Sequence, residues 1–393
     1  MRRSFSILFA CLTLFLALPA RGAPVALPSP APLPVAAREA FRKQQSVAHV
    51  LADPDHFIWC LTAMRWTDGR IHAYYSRWPK KQGFGAWMTD CEIMHAVADS
   101  PGGPFITTGV VLANRKPDGW DAISSHNPMV CVADGKIHLY YISNDLRKTQ
   151  PEGPPGEDWL KANRDTIRNS QRVGLATATR PEGPFVRTPE PVVVPHGSFK
   201  NVAVNPAVVF HDGTFRMIVK GDDMRREGVF RVQFAGESAN AAGPFTFREK
   251  PVFSETQSED ACVWFDRTEN QFHGVLHLMG QPVLAHLVSP NGLDWRKAES
   301  FTFMRKEFTL ADGSIWKPKR VERPFVLTDA MGRPEWIYLA VADQGISGNV
   351  AVRLENRRIH PPEHPKQQKP GTMRNNDGKA SLEELVPSST RQH

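Results

Sequence analysis

Five times along the chain an apolar run of about six residues meets a tight turn and continues into a second apolar run. The first unit reads Ile58-Trp59-Cys60-Leu61-Thr62-Ala63, a turn at Asp68-Gly69, then Ile71-His72-Ala73-Tyr74-Tyr75, with a third run over Ile93-Met94-His95-Ala96-Val97. The second pairs residues 127–132 with 137–141 around Asp134-Gly135, and the third pairs 205–210 with 215–219 around Asp212-Gly213. The fourth turns at Glu269-Asn270 between 261–265 and 272–276, and the fifth at Met331-Gly332 between 323–327 and 336–340. Asp-Gly is the residue pair of two-residue hairpins that need positive φ, and the flanking β-branched and aromatic runs predict half-buried strands.

A second signature closes four of these units: Pro101-Gly102-Gly103-Pro104-Phe105, Pro181-Glu182-Gly183-Pro184-Phe185, Gly243-Pro244-Phe245 and Ser289-Pro290-Asn291-Gly292-Leu293-Asp294-Trp295. A unit that recurs at roughly 55 to 75 residues with antiparallel strands and no helical periodicity predicts an all-β chain, a five-bladed β-propeller. The boundaries expected from the repeat are a single propeller domain over 45–356, a Pro/Ala-rich linker over 23–44 and an unstructured tail over 357–393.

Composition changes this picture little. The chain has 393 residues, 41% of them hydrophobic, which is ordinary for a globular domain with a sizeable core. Arg2 and Arg3, the apolar stretch from Ile7 to Leu18 and Ala20-Arg21-Gly22 follow the order of a signal peptide over 1–22. Export to the periplasm or the exterior is therefore expected, and the apolar stretch is too short for an ordinary membrane span. The formal charge of +7 is concentrated at the ends, in Arg2, Arg3, Arg21 and a net basic tail, so the propeller body is near neutral and no nucleic-acid footprint is expected. In the tail, Asn375, Asp377, Ser381 and Glu384 match part of a calcium loop, but its first place holds Met373, so the segment reads as a degenerate EF-hand. Cys60, Cys91, Cys131 and Cys262 sit in or beside strand runs and read as packed thiols, with Cys60–Cys91 the one pairing to test. No metal or other cofactor is expected, because close His/Cys ligand spacing is missing.

Candidate chemistry comes from register. In a propeller the start of each innermost strand lines one funnel mouth, so equivalent positions of successive blades face one another. Here they are Trp59-Cys60, His126-Asn127, Asn205, Glu259-Asp260 and Glu322-Arg323, polar openings to apolar strands. Glu259, Asp260 and Glu322 are the candidate catalytic carboxylates. For Glu322-Arg323 an internal ion pair, and for Asp260 a strand cap, stand beside that reading. Asp121, His126, Asn127, Asn205, Arg77, Arg323, Trp59 and Trp120 are the candidate sugar-binding residues, the arginines for an acidic sugar and the tryptophans as platforms, with Trp78 and Trp316 also near strand starts. Asp55 is a further carboxylate upstream of the first blade. The insertion from Asp145 to Gln171 either walls a cleft or forms a surface excursion.

The Asn-Pro and Glu-Arg-Pro strand starts, the Gly-Pro-Phe turns and the Asp-Gly hairpins over residues 55–355 resemble the five-bladed glycoside hydrolase superfamily of families 43, 62, 32, 68, 117 and 130. Trp59-Cys60, Ser76-Arg77-Trp78-Pro79, Glu92-Ile93-Met94-His95-Ala96, His126-Asn127-Pro128, Glu259-Asp260 and Glu322-Arg323-Pro324 look like family 43-like bacterial proteins. The resemblance implies hydrolysis of a plant or algal poly- or oligosaccharide by paired carboxylates. Family 43 enzymes place an aspartate base in blade one, an orienting aspartate in blade three and a glutamate acid in blade four. This chain offers Glu259 or Asp260 in blade four, Asn205 in blade three and Trp59-Cys60 in blade one, with Glu322 as an extra carboxylate in blade five. A non-catalytic, lectin-like propeller is the alternative.

Overall fold

The computed structural model describes residues 27–114, 118–147 and 157–355, so the signal-peptide and tail readings lie outside the described residues. Five antiparallel sheets carry the repeat. Their innermost strands are His56–Arg65, Ile123–Ala133, Phe199–His211, Ser258–Asp266 and Arg320–Thr328. Each contacts the innermost strand of the next blade, and the fifth contacts the first, which closes the ring. Each of the first four blades adds three more strands outward in sequence order.

Five apolar clusters fill the spaces between neighbouring sheets. Tyr74, Ile93, Leu139 and Tyr141 pack between blades one and two, and Val275, Leu284, Ile337 and Val350 between blades four and five. A strand packed between two such clusters is covered on both faces. Ile71–Pro79 and Gln271–Leu278 are accordingly buried along nearly their whole length, which corrects the half-buried expectation; outermost strands such as Ile106–Leu112 keep most of their positions at least partly exposed.

The Gly-Pro-Phe signature has a structural cause. Gly103, Gly183 and Gly243 adopt φ of 81°, 89° and 85°, a conformation strained for any other L residue. The turn thus presents a carbonyl to the preceding blade, where a tyrosine hydroxyl donates to it: Tyr338 to Pro101 O at 2.9 Å, Tyr74 to Pro181 O at 2.9 Å, and Tyr140 to Ala241 O at 2.8 Å. At the fourth turn Arg216 Nε takes that part, donating to Asn291 O at 2.7 Å. The repeated motif is an inter-blade latch.

Blade five is completed from the N-terminal side of the chain, which corrects the linker expectation for residues 27–44. Ser29–Pro30 pairs antiparallel with Leu354 and Glu355, and Val50–Ala52 pairs with the same outer strand. Between them the helix Val35–Arg42 buries Ala37, Ala40 and Phe41, and Phe41 packs at 5.1 Å on Trp316. Among the described residues the four cysteines are free thiols, all buried, so Cys60 and Cys91 are not joined.

Candidate active site

Each innermost strand carries the same defect at the same place. Pairing with the second strand gains one extra residue between Trp59 and Thr62, His126 and Met129, Val204 and Ala207, Glu259 and Cys262, and Glu322 and Phe325. Inside each bulge one residue is left-handed: Cys60 (φ 55°), Asn127 (53°), Asn205 (56°), Asp260 (56°) and Arg323 (55°). That backbone costs about 1–2 kcal/mol for an ordinary L residue, and Cys60 and Arg323 lack the local compensation open to Asn and Asp. Five such bulges re-aim polar side chains at a common axis, the arrangement expected where strain serves a site.

The side chains interlock. Asn127 Nδ2 donates to Asn205 Oδ1 at 3.4 Å, Asn205 Nδ2 to Asp260 Oδ1 at 2.8 Å, and Arg323 Nη2 to Asn205 Oδ1 at 2.7 Å. Arg323 Nε lies 3.1 Å from Asp260 Oδ1. The residue before each left-handed position forms a second tier: Trp59, His126, Val204, Glu259 and Glu322, all lining a cavity of about 840 Å³, including space open to solvent.

The three carboxylates differ in electrostatics. Burial pushes Glu322 above the usual carboxylate range and the like charge of Asp260 adds to it, while its nearest cation, Arg320, is 3.8 Å away and half exposed. Burial acts on Glu259 in the same direction, but the Lys220 ammonium, 2.6 Å from Oε2, overrides it and holds Glu259 below its ordinary value. Asp260 is held low despite complete burial, chiefly by Arg323, with His277 Nδ1 at 3.5 Å from Oδ2 acting in the same direction. Two acids at one funnel mouth are thereby pushed apart, one toward the protonated and one toward the ionised form.

His126 is buried, and burial followed by the Arg323 charge lowers its pKa to about 3, so it is neutral near pH 7. In this orientation of the amide, Gln171 Nε2 donates to His126 Nε2 at 3.3 Å, which leaves the ring proton on Nδ1, buried and without a partner.

Of the residues expected from sequence, Glu259, Asp260, Glu322, His126, Asn127, Asn205, Arg323 and Trp59 line this cavity, as does Trp78. Three do not, and each has a structural use. Arg77 pairs with Glu92, Nε to Oε1 at 3.0 Å. Asp121 is buried, accepting from the Tyr141 hydroxyl at 2.6 Å and from Arg187 at 2.7 Å. Trp120 is buried and stacked on Tyr141 at 6.0 Å. Trp316 is likewise core. Arg323 meets Asp260 rather than Glu322, which corrects the Glu322–Arg323 ion pair.

Sequence reading missed several members of the site. Lys220 and His277 stand directly across the ladder from Val204 and Glu259, positions that counting back from the hairpin turns would have reached. Phe84 and Trp87 come from the short 3-10 turn Phe84–Met88 after blade one's second strand, and Arg168 and Gln171 from the blade-two insertion. Glu259, Asp260, His277 and Glu322 each offer one ligand atom within 4.8 Å of the others, a spacing a cation could bridge, although Lys220 and Arg323 already neutralise two of these carboxylates.

A closed five-bladed propeller with an aromatic-walled funnel lined by charges of both signs is the class of protein this architecture defines. Solved structures with the same fold include a family 117 glycoside hydrolase of the marine bacterium Zobellia galactanivorans, at 14% identity and TM-score 0.57 over 84% of this chain and 90% of that one. They also include a family 43 β-xylosidase/α-arabinofuranosidase from a compost microbial metagenome, at 13% identity and TM-score 0.50 over 78% of this chain and 92% of that one. Fructan 1-exohydrolase IIa of Cichorium intybus matches at 12% identity and TM-score 0.54, over 79% of this chain and 58% of that one. No protein-family model and no curated protein matches the chain.

Proposed function

We propose that the protein is an exported glycoside hydrolase, family 43-like in layout, that cleaves a plant or algal poly- or oligosaccharide at the funnel mouth. The observation that carries this reading is the opposed electrostatics of Glu322 and Glu259, with ligand oxygens within 4.8 Å of each other. Glu322, whose burial favours the protonated form, donates its proton to the departing glycosidic oxygen. Glu259, kept ionised by Lys220, acts on the anomeric carbon directly or through water. Asp260 is a positioning residue, since Arg323 and Asn205 occupy it. Trp59, Phe84 and Trp87 supply apolar faces for sugar rings, and the His126 Nδ1 proton supplies a hydrogen bond to a hydroxyl. The charged, apolar and small-residue order of residues 1–22 supports export; N-terminal sequencing of protein recovered outside the cytoplasm checks it.

A non-catalytic carbohydrate-binding propeller is the second reading, favoured by the Lys220–Glu259 and Arg323–Asp260 pairs, which a purely structural ring would also contain. A panel of arabinose-, xylose-, galactose- and rhamnose-containing glycans separates the two. The hydrolase reading expects released sugar from the parent, and Glu322→Gln to retain binding while losing about a hundredfold or more in turnover. Binding without any released sugar from the parent refutes it.

A further inference from the structure

Three of the cations lining the cavity face a carboxylate of the site: Lys220 meets Glu259 at 2.6 Å, Arg323 meets Asp260 at 3.1 Å, and Arg320 lies 3.8 Å from Glu322. Arg231 turns away to Asp222 at 3.3 Å, and its Nε is buried without a hydrogen-bond acceptor. Arg168 is different. Among the described residues its guanidinium makes neither an ion pair nor a hydrogen bond, although it lines the cavity and is partly buried there. Burial lowers its pKa, and the neighbouring Arg231 charge lowers it further.

The helix that carries this cation is anchored. Arg168 sits on the short helix Arg164–Asn169, pinned by the fully buried Ile167 and closed by Ser170, whose hydroxyl donates to Ile167 O at 2.7 Å. Keeping a guanidinium half out of water beside a second one is unfavourable unless something negative completes it. Among the described residues Glu259 and Asp222 act on it only through space, and neither pairs with it. An unpaired guanidinium presents a planar fork of donors that matches a carboxylate or sulfate with two parallel hydrogen bonds, where a neutral hydroxyl would use only one.

We propose that Arg168, with Arg231 beside it, forms a subsite for an anionic substituent on the bound sugar, a uronate carboxylate or a sulfate ester, so that the substrate is an acidic glycan. This rests on the carbohydrate reading of the funnel and narrows it. The blade-two insertion carries the selectivity, while the propeller ring carries the carboxylates.

The test is calorimetric binding to the Glu322→Gln protein, which would hold glycans without turning them over. The probes are oligogalacturonides and aldouronic oligosaccharides for the uronate arm and carrageenan oligosaccharides for the sulfate arm. Galacto-, xylo- and agaro-oligosaccharides serve as neutral counterparts. At least one acidic series is expected to bind tenfold or more tightly than its counterpart at low salt, with the advantage shrinking as salt rises. Adding Arg168→Gln should remove most of that advantage, and Arg168→Lys should keep part of it. Equal affinity for acidic and neutral probes, no binding of any acidic probe, or an advantage untouched by Arg168→Gln overturns the subsite. If the parent binds acidic glycans in an Arg168-dependent way yet releases no sugar, the hydrolase reading fails and the subsite stands. If the parent hydrolyses neutral glycans with no acidic preference, the subsite fails and the hydrolase reading stands.

Discussion

Breaking the Arg323–Asp260 contact should cost the protein several kcal/mol, and breaking both sides together should cost much less than the sum. The two groups lie 3.1 Å apart with side chains only 13% and 2% exposed. At an effective dielectric near 20, two unit charges at that separation attract by about 5 kcal/mol, offset by the desolvation of both. Arg323→Met leaves Asp260 buried beside Asn205 with its main counter-charge gone, and about 3–5 kcal/mol of stability should be lost. Asp260→Asn leaves the guanidinium with a neutral acceptor. The double variant removes the stranded charge in each, so a coupling energy of about 2–3 kcal/mol is expected. Urea unfolding followed by tryptophan fluorescence, with equal slopes for all four proteins, measures the cycle. Additive single effects, with coupling below about 0.5 kcal/mol, would refute the claim that the ring is held by this pair. Asp260→Asn has a second readout: with the negative charge beside Glu322 gone, the alkaline limb of the pH–rate profile should move to lower pH.

Carboxylate oxygens within 4.8 Å leave little space for a water beneath the sugar, which is nearer the roughly 5–5.5 Å of retaining than the 6.5–9.5 Å of inverting glycosidases; proton NMR of the first-formed product should show retained anomeric configuration, and inversion would exclude direct attack by Glu259. His126 has a folded pKa of about 3, so the unfolded chain takes up its proton first and stability falls as pH drops from about 6.5 toward 3; the loss at pH 5 is about 2 kcal/mol, and His126→Gln should flatten the acid side of a Tm-against-pH curve. Tyr74→Phe removes the latch between blades one and two at 2.9 Å and should cost about 1 kcal/mol or more, read by denaturation, because Pro181 O loses its donor.

The blades were legible because a sheet sandwiched between neighbours must repeat its turns and apolar runs, and Asp134-Gly135 or Gly183-Pro184 states its backbone locally. The ring was legible because register converts directly into position: Asn205, Asp260 and Arg323 share one tier of the funnel and Glu259 and Glu322 the next. Pairing within the ring was not. Arg323 adjoins Glu322 in sequence, yet the bulge turns it to Asp260 of the preceding blade. Lys220 and His277 were hidden because they belong to second strands, where an isolated charged residue in an apolar run looks like a strand end. Arg77, Trp120 and Asp121 misled for the opposite reason: polar and aromatic residues near strand ends can be used within their own blade, Arg77 by Glu92 across the ladder and Trp120 and Asp121 by Tyr141 and Arg187. The N-terminal segment escapes sequence reading because Pro and Ala composition describes a spacer well, and only Leu33 and Phe41 hint at a buried face.

That N-terminal segment sets the order in which the molecule can become complete. Blade five lacks its outer edge until residues 29–30 and 50–52 arrive, and His49 Nδ1 meets Ala351 O at 2.9 Å across 302 residues of sequence. During synthesis the first four blades can form sheets from contiguous chain, but the seam between blades one and five stays open until nearly the whole domain has left the ribosome. Contacts of such long range are slow to find, and the unpaired edge they leave is a strand template in the meantime. The ring is therefore clasped by its earliest-made residues acting last, and nascent chains stalled within blade five should be the species most prone to pair with one another.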